Sequence, residues 1–316
     1  MTSLPVSLVD IQRAAERIYS LVHQTPVLTC SSLDEMAGGH LFFKCENFQR
    51  AGAFKFRGAC NAVFSLGDAE VVNGVATHSS GNHAAALSLA AKLRGVKAHL
   101  VMPRTAPAVK RAAVEGYGGI ITSCEPTLVS REITLDYVIG QTGATFIHPY
   151  NDPRIIAGQG TAAKELLEEV PELDMVVAPV GGGGLLSGTA IAGTESSPSM
   201  RVIGAEPANA DDAYRSLIAG QIIPSKDPQT VADGLRSSLG ELTFPIIRER
   251  VERIVTVSEE AIVNAMRQVW ERMKIIIEPS AAVAVAVVLG EDLNVTGQRV
   301  GIILSGGNVD LERLPW

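Results

Sequence analysis

Met175-Val-Val-Ala-Pro-Val-Gly-Gly-Gly-Gly-Leu185 passes from an apolar, strand-like run into four glycines and then into a segment that suits a helix start near Leu185. In that order the elements make a cup for an anion. Glycines carry no Cβ to hold a ligand off the backbone, several N–H groups can converge, and the helix N-terminus adds its positive end. A flexible turn has the same composition, and only the strand before and the helix after separate the two readings. No Lys-Ser or Lys-Thr follows the glycines, so this is not a P-loop, and the Gly-x-Gly-x-x-Gly spacing of a dinucleotide fold is absent. A monophosphate fits better.

Outward from this stretch, short runs rich in Val, Ile and Ala alternate with longer amphipathic stretches, the pattern of an α/β protein with helices on the faces of parallel sheets. Strands are predicted near Leu41 to Cys45, Gly74 to Thr77, Ala98 to Met102, Gly119 to Ser123, Ala144 to Ile147, Met175 to Val180, Arg201 to Ala205 and Val300 to Leu304. Helices are predicted over Asn82 to Leu93, Glu165 to Glu169 and Ser258 to Lys274. The four strand-like runs between residues 71 and 146 suffice for a small lobe inserted into a larger, discontinuous one made of residues 1–70 and 147–316. A ligand would sit in the cleft between the lobes, at the carboxyl ends of the strands.

Composition narrows the partners. A chain of 316 residues that is 46% hydrophobic and 19% charged has the makings of a large folded core and not of a disordered segment. Its net charge of −7 argues against nucleic acid or an anionic membrane as partner and leaves a small molecule as the default. The first 23 residues place Asp10, Arg13, Glu16 and Arg17 at helical spacing, unlike a secretory signal, and the apolar stretch Ala281 to Leu289 is too short to span a bilayer. The expectation is a cytoplasmic protein. Cys30, Cys45, Cys60 and Cys124 show no C-x-x-C pairing and read as reduced core thiols.

Four further segments carry chemistry. In Phe48-Gln-Arg-Ala-Gly-Ala-Phe-Lys-Phe-Arg-Gly-Ala59, Lys55 is flanked by Phe54 and Phe56. Poor solvation disfavours the ammonium, lowering its pKa toward the range where the amine attacks a carbonyl, as a Schiff-base lysine does. A lysine that buries its stem and keeps its head in water would look the same locally. Thr77-His-Ser-Ser-Gly-Asn-His83 lies between a strand and a helix, so its hydroxyls, amide and backbone donors suit capture of a carboxylate; an ordinary helix cap through Ser80 or Asn82 is the plainer reading. No Gly-x-Ser-x-Gly elbow surrounds Ser80, which weighs against a Ser-His-Asp hydrolase. Ser305-Gly-Gly-Asn308 places a hydroxyl at the end of the last strand. Glu206, Asp211 and Asp212 follow another strand and could hold a hard cation through oxygen, although a small acidic cluster is also what a solvated surface presents.

Taken together, these segments resemble the fold-type II pyridoxal-phosphate enzymes, which are tryptophan synthase β-like, and within them the group of serine racemases, serine/threonine dehydratases and 3-hydroxyaspartate dehydratases. The carriers are Phe42-Phe-Lys-Cys-Glu46, Gly52 to Gly58, Ser79 to His83, Ala157-Gly-Gln-Gly-Thr161, Gly181 to Gly184, Glu206 to Asp212, Ala232-Asp-Gly234, Glu278-Pro279 and Ser305 to Asn308, in the same order over almost the whole chain. The resemblance implies two open parallel-sheet lobes with the active site in the cleft, and a homodimer. It implies that Lys55 carries pyridoxal phosphate as a Schiff base, that Gly181, Gly182, Gly183, Gly184 and Leu185 cradle its phosphate, that Asn82 bonds the pyridoxal oxygen, that Phe54 and Gly234 lie against the ring, and that Ser305 meets the pyridine nitrogen. A hydroxyl there does not force pyridine protonation, which favours elimination at Cβ over transamination. It further implies that Ser79, Ser80, Gly81, Asn82 and His83 bind the substrate carboxylate, that Lys55 and Ser80 move the Cα proton on opposite faces, and that Glu206, the Ala210 carbonyl and Asp212 hold Mg²⁺ (or Mn²⁺ or Ca²⁺).

Within the group, Ala53 stands where many serine racemases and threonine dehydratases have serine, a version closer to microbial hydroxyaspartate dehydratases and plant-type serine racemases. The chain ends at Trp316, shortly after the Ser305 motif, so no regulatory domain of the feedback-inhibited kind is expected. The reading is a dehydratase of 3-hydroxyaspartate, with serine racemase and L-serine/L-threonine dehydratase activity as the alternative. A second substrate carboxylate would need an added partner, for which Arg131, His148 and Arg154 are candidates against the plainer reading of surface charges. A β-replacement synthase and a non-catalytic cofactor carrier or amino-acid sensor fit the acidic cluster and the Lys55 and Ser80 pair less well.

Overall fold

The computed structural model describes residues 4–79 and 81–316. Ten strands form two sheets among these residues: β1 (Val27–Leu28), β2 (His40–Cys45), β3 (Val75–His78), β4 (Ala98–Pro103), β5 (Ile120–Cys124), β6 (Thr145–Phe146), β7 (Met175–Pro179), β8 (Arg201–Pro207), β9 (Arg253–Val257) and β10 (Arg299–Leu304). One sheet runs β1-β2-β10-β7-β8-β9 and the other β5-β4-β3-β6. Every pairing is parallel except the short β1 on β2. All five residues of β7 are buried, as expected of a central parallel strand covered by helices on both faces.

The strands lie within one or two residues of the sequence expectation, apart from β1 and β9, which it missed. The two-residue β1 is too short to show a period, and β9 is an edge strand following directly on the helix Thr243–Arg250. The helix expected over Glu165 to Glu169 begins much earlier, at Pro153, with Asp152 as its cap. Gly158 and Gly160 read locally as breaks. In the structure they are contact points. A Cβ on Gly158 would lie 2.6 Å from the Gly58 Cα, and one on Gly188 would lie 2.5 Å from the Gly160 nitrogen. The helices Lys55–Ser65, Pro153–Glu169 and Gly184–Ser196 therefore cross with backbones nearly touching, which fixes where the first and third of them begin. Both begin at the cleft.

The apolar stretch at Ala281 to Leu289 belongs to the helix Pro279–Leu289, whose residues from Ser280 to Val288 are buried against the larger sheet. Among the described residues, no helix is long and apolar enough to cross a membrane.

Candidate active site

Lys55 is the first residue of its helix, and the chain leading into it is held against the end of β10. Phe54 N–H donates to the Ser305 carbonyl at 3.0 Å, and Ala53 bridges Gly306. Gly52 has φ of +70°, and a Cβ there would overlap Asn308, whose Nδ2 donates to the Ala51 carbonyl at 2.7 Å. This turn needs glycine for its backbone angle and its closeness to Asn308 together. Lys55 Nζ donates to the Pro149 carbonyl at 3.0 Å and sits 5.1 Å from the centre of the Phe54 ring. The residue as a whole is half-buried, while its amine end is enclosed. Burial pushes its pKa down to about 8, with the nearby Glu278 carboxylate opposing the shift.

Behind Lys55, on the opposite side of the same helix turn, Arg57 is fully buried and forks onto two carboxylates. Its Nε and Nη2 reach Glu46 at 2.7 and 2.8 Å, and its Nη1 and Nη2 reach Glu165 at 2.6 and 2.7 Å. Lys44 completes the group with a 2.7 Å pair to Glu165. Two cations and two carboxylates pair directly and tie the start of the Lys55 helix to β2 and to the helix Pro153–Glu169.

The glycine run turns between β7 and the helix Gly184–Ser196, with Gly183 at φ of +90°. Among the described residues, the backbone N–H groups of Gly182 to Leu185 donate to no protein acceptor. Thr243 Oγ1 donates to the Gly182 carbonyl at 2.8 Å, which fixes the loop from behind. A Cβ on Gly182 would lie 2.3 Å from the Tyr150 ring, and one on Gly181 would lie 3.0 Å from the Leu235 Cα. Free donors at a helix N-terminus, on a backbone with no Cβ of its own, fit a phosphate. Gly234 lies beside this cup, with its N–H bonded to Ser280 Oγ at 3.1 Å. Ser305 is buried at the end of β10.

In the loop after β3, Ser79 N–H is bonded to the Val101 carbonyl at 3.1 Å, and Gly81 N–H donates to Ser79 Oγ at 3.3 Å. Ser80 lies outside the described residues. Asn82 opens the next helix; its Nδ2 donates to Glu278 Oε1 at 2.7 Å and its Oδ1 accepts from Asn308 Nδ2 at 3.0 Å. His83 is buried, and neither ring nitrogen has a hydrogen-bond partner among the described residues. Burial, then the charge of Lys55, holds its pKa well below the usual imidazole range. The structure thus brings Lys55, Phe54, Asn82, Ser305, Gly234 and the glycine cup to one cleft.

Glu206 is buried in β8 and accepts from Ala213 and Tyr214 N–H groups at 2.8 Å each. Asp212 is buried at the start of the helix Asp212–Ala219, and neither carboxylate oxygen has a partner of normal hydrogen-bond geometry among the described residues. Burial pushes Glu206 up to about 8 and Asp212 up to about 6, the latter against the pull of the nearby Ser225 hydroxyl. An orphaned buried carboxylate beside a second one, with the buried Ala210 backbone adjoining, is a donor set that fits a hard divalent cation. It contains two carboxylates and a carbonyl, and no group of three or more His, Cys, Asp or Glu with ligating geometry occurs among the described residues.

The sequence reading did not assign site roles to Glu278, Asn308, Tyr150 or the Pro149 carbonyl. Glu278 and Asn308 lay in recognised motifs, but their contacts with Asn82 cross more than 190 positions of chain, and no local pattern carries that.

Residues 18–306 match the family described as pyridoxal-phosphate dependent enzyme. The chain is 55% identical over 307 residues to the β-hydroxyaspartate dehydratase of Paracoccus denitrificans (strain Pd 1222), covering 97% of this chain and 98% of that protein. It is 51% identical over 314 residues to the serine racemase of Dictyostelium discoideum, 98% of this chain and 97% of that protein. The crystal structure of the Dictyostelium enzyme superposes with a TM-score of 0.94 over 97% of this chain and 100% of that chain. A pyridoxal 5'-phosphate-dependent aspartate racemase superposes with a TM-score of 0.92 at 39% identity, covering both chains completely.

Proposed function

The chain belongs to the pyridoxal-phosphate dependent enzymes, and from that premise we propose that it dehydrates and deaminates 3-hydroxyaspartate to oxaloacetate and ammonia by way of iminosuccinate. The observation that carries this is Lys55, an amine with its pKa lowered to about 8, bonded to the Pro149 carbonyl beside Tyr150, whose ring packs on the glycine turn with its free N–H donors, and close enough to His83 for its charge to bear on that imidazole. Near neutral pH a useful fraction of Lys55 is uncharged and able to join a carbonyl and afterwards to carry a proton. Pyridoxal phosphate, when bound, supplies the electron sink that makes the Cα proton acidic and lets the β-hydroxyl leave. Gly181 to Gly184 and Leu185 would hold its phosphate, Asn82 and Ser305 its ring substituent and nitrogen, and Phe54 and Gly234 would flank its ring. Ser79 to His83 would bind the substrate carboxylate, with Ser80 serving the face opposite Lys55. Glu206, Ala210 and Asp212 would bind a divalent cation that stabilises the segment after β8.

Support for a dicarboxylic substrate comes from sorting the three candidate partners. Arg154 is engaged, with Nε and Nη2 on Asp152 at 3.0 and 2.6 Å. His148 Nδ1 accepts from Asn151 and Tyr150 N–H groups at 2.8 and 3.2 Å, and burial pushes its pKa down to about 4, so at neutral pH it carries no charge. Arg131 differs from both. Its Nε is buried with no partner among the described residues, and after burial its charge is the next cause of the lowered pKa of His78, which adjoins the substrate loop. A cation left unpaired there suits a second carboxylate.

The similarity to serine racemases keeps a racemase with L-serine/L-threonine dehydratase activity as the second reading. The deciding experiment follows 2-oxo acid and ammonia release by the purified, cofactor-loaded protein with Mg²⁺, comparing 3-hydroxyaspartate isomers with L-serine. A much higher kcat/KM for one hydroxyaspartate isomer is expected. A preference for L-serine with D-serine formed alongside pyruvate would transfer the assignment to the racemase.

A further inference from the structure

We propose that Lys110 is a positioning residue that pairs with Asp233 across the mouth of the cleft and thereby holds the carboxylate-binding turn at Gly81 in place. Lys110 lies in the helix Ala108–Gly116, which follows β4 of the smaller sheet, and Asp233 lies in the short turn Asp233–Leu235 on the larger sheet's side. Their side chains form an ion pair between the two lobes. The lysine does not simply reach over solvent. A Cβ on Gly81 would stand 3.4 Å from Lys110 Nζ and 3.5 Å from its Cδ, so the lysine stem lies directly on Gly81 on its way to Asp233. Lys110 is only 15% exposed in its side chain and Asp233 39%, an asymmetry that marks the lysine as the packed partner.

Each end of the pair touches the site. Asp233 immediately precedes Gly234, and Gly81 immediately precedes Asn82, whose amide bonds to the buried Glu278. The charged groups that bear on Glu278 are Asp233, which disfavours its ionisation, and Lys110 and Lys55, which favour it. With Lys110 on Asp233 the repulsion is offset, and Glu278 is better able to keep its charge and hold Asn82. Lys110 therefore acts on the substrate loop twice, by contact at Gly81 and through Glu278. An exposed lysine–aspartate pair within one element would contribute little. Between two lobes, the same pair selects their relative position.

Two measurements test this. The kinetic one rests on the dehydratase reading and the other does not. Lys110→Met keeps the stem over Gly81 and removes the charge, Asp233→Asn removes the other half, and the double variant reports their coupling. In the cofactor-loaded protein each single change is expected to raise KM for the β-hydroxy amino acid about five- to tenfold, with kcat changed less than about twofold and the double variant no worse than either single. Amide hydrogen exchange over residues 81–86 should quicken by a similar factor in all three, and wild-type KM should climb toward the variants as salt is raised to about 0.5 M. Additive effects in the double variant, or exchange over residues 81–86 unchanged from wild type, would overturn the proposal. If the protein turns over none of the offered substrates, the dehydratase reading fails and the exchange measurement alone decides this one.

Discussion

Asn82 and Glu278 are 196 positions apart in the chain, yet the amide nitrogen of one donates to the carboxylate of the other at 2.7 Å in the middle of the cleft. Asn82 opens the helix after β3 on the smaller sheet, and Glu278 caps the buried helix Pro279–Leu289 on the larger one. Asn308 Nδ2 joins the same asparagine to the turn that leads into Lys55. One side chain thus connects both lobes and the lysine-bearing segment, and its orientation depends on a carboxylate that burial makes costly to ionise.

That cost gives a pH prediction. Burial, then the proximity of Asp233, pushes Glu278 up to about 7, whereas an unfolded chain would ionise it near 4.3. A carboxyl with a raised native pKa favours the folded state fully below its unfolded value, and that contribution is lost as pH rises through the native one. Without cofactor, the wild type should therefore lose stability relative to Glu278→Gln between about pH 5 and about pH 8, by on the order of 3 kcal/mol. Glutamine keeps an acceptor for Asn82, so the two proteins should match at the acid end. Urea unfolding midpoints that run parallel across this range would refute the assignment.

The Arg57 cluster predicts a large structural penalty. Glu46 is fully buried and receives two bonds from Arg57 and one from Thr25 Oγ1 at 2.5 Å. Arg57→Met fills similar volume but leaves this carboxylate with one donor, and breaking a buried pair in that way costs about 3–5 kcal/mol. Chemical denaturation should show a drop of that size. A loss below about 1 kcal/mol would mean that water or Lys44 takes over the arginine's role.

Much of this architecture was legible because the large sheet is built from unbroken apolar runs, such as Met175 to Pro179, ending in residues that tolerate no side chain. The tight glycine turn was readable for the same reason: four adjacent glycines have few structural uses between a strand and a helix. The early start of the helix at Pro153 was not readable, because Gly158 and Gly160 weaken a helix locally and are kept for the close crossing with Gly58 and Gly188. The poor solvation of the Lys55 amine was readable from its aromatic neighbours. Its acceptor, the Pro149 carbonyl, was not, because a backbone oxygen 94 positions away leaves no mark on the sequence.

Cation binding at Asp212 should be visible as stability. Neither Asp212 oxygen has a partner of normal hydrogen-bond geometry among the described residues, so an ion that binds only the folded state raises its stability by mass action, by about 2.7 kcal/mol when its concentration is a hundred times Kd. Adding Mg²⁺ to chelator-treated protein is expected to raise Tm by a few degrees, and Asp212→Asn should remove that response while leaving the secondary structure intact. An equal Mg²⁺ response in wild type and variant would place the ion elsewhere.

Arg131 should govern the choice between substrates. Its Nε is buried in the helix Leu128–Thr142 with no partner among the described residues, close enough to His78 for its charge to add to burial in lowering that imidazole's pKa. A charge-assisted bond to a second carboxylate contributes about 2–3 kcal/mol, equal to roughly 30- to 160-fold in kcat/KM. Arg131→Met should lose that factor with 3-hydroxyaspartate and less than about fivefold with L-serine, which has no β-carboxylate to lose. Arg131→Lys should recover only part of it, since an ammonium replaces a planar fork with a point charge. The ratio of the two substrates' kcat/KM values is the informative quantity, because a general loss of folding lowers both together. A ratio unchanged by Arg131→Met would remove this residue from the substrate site and with it the main structural argument for a dicarboxylic substrate.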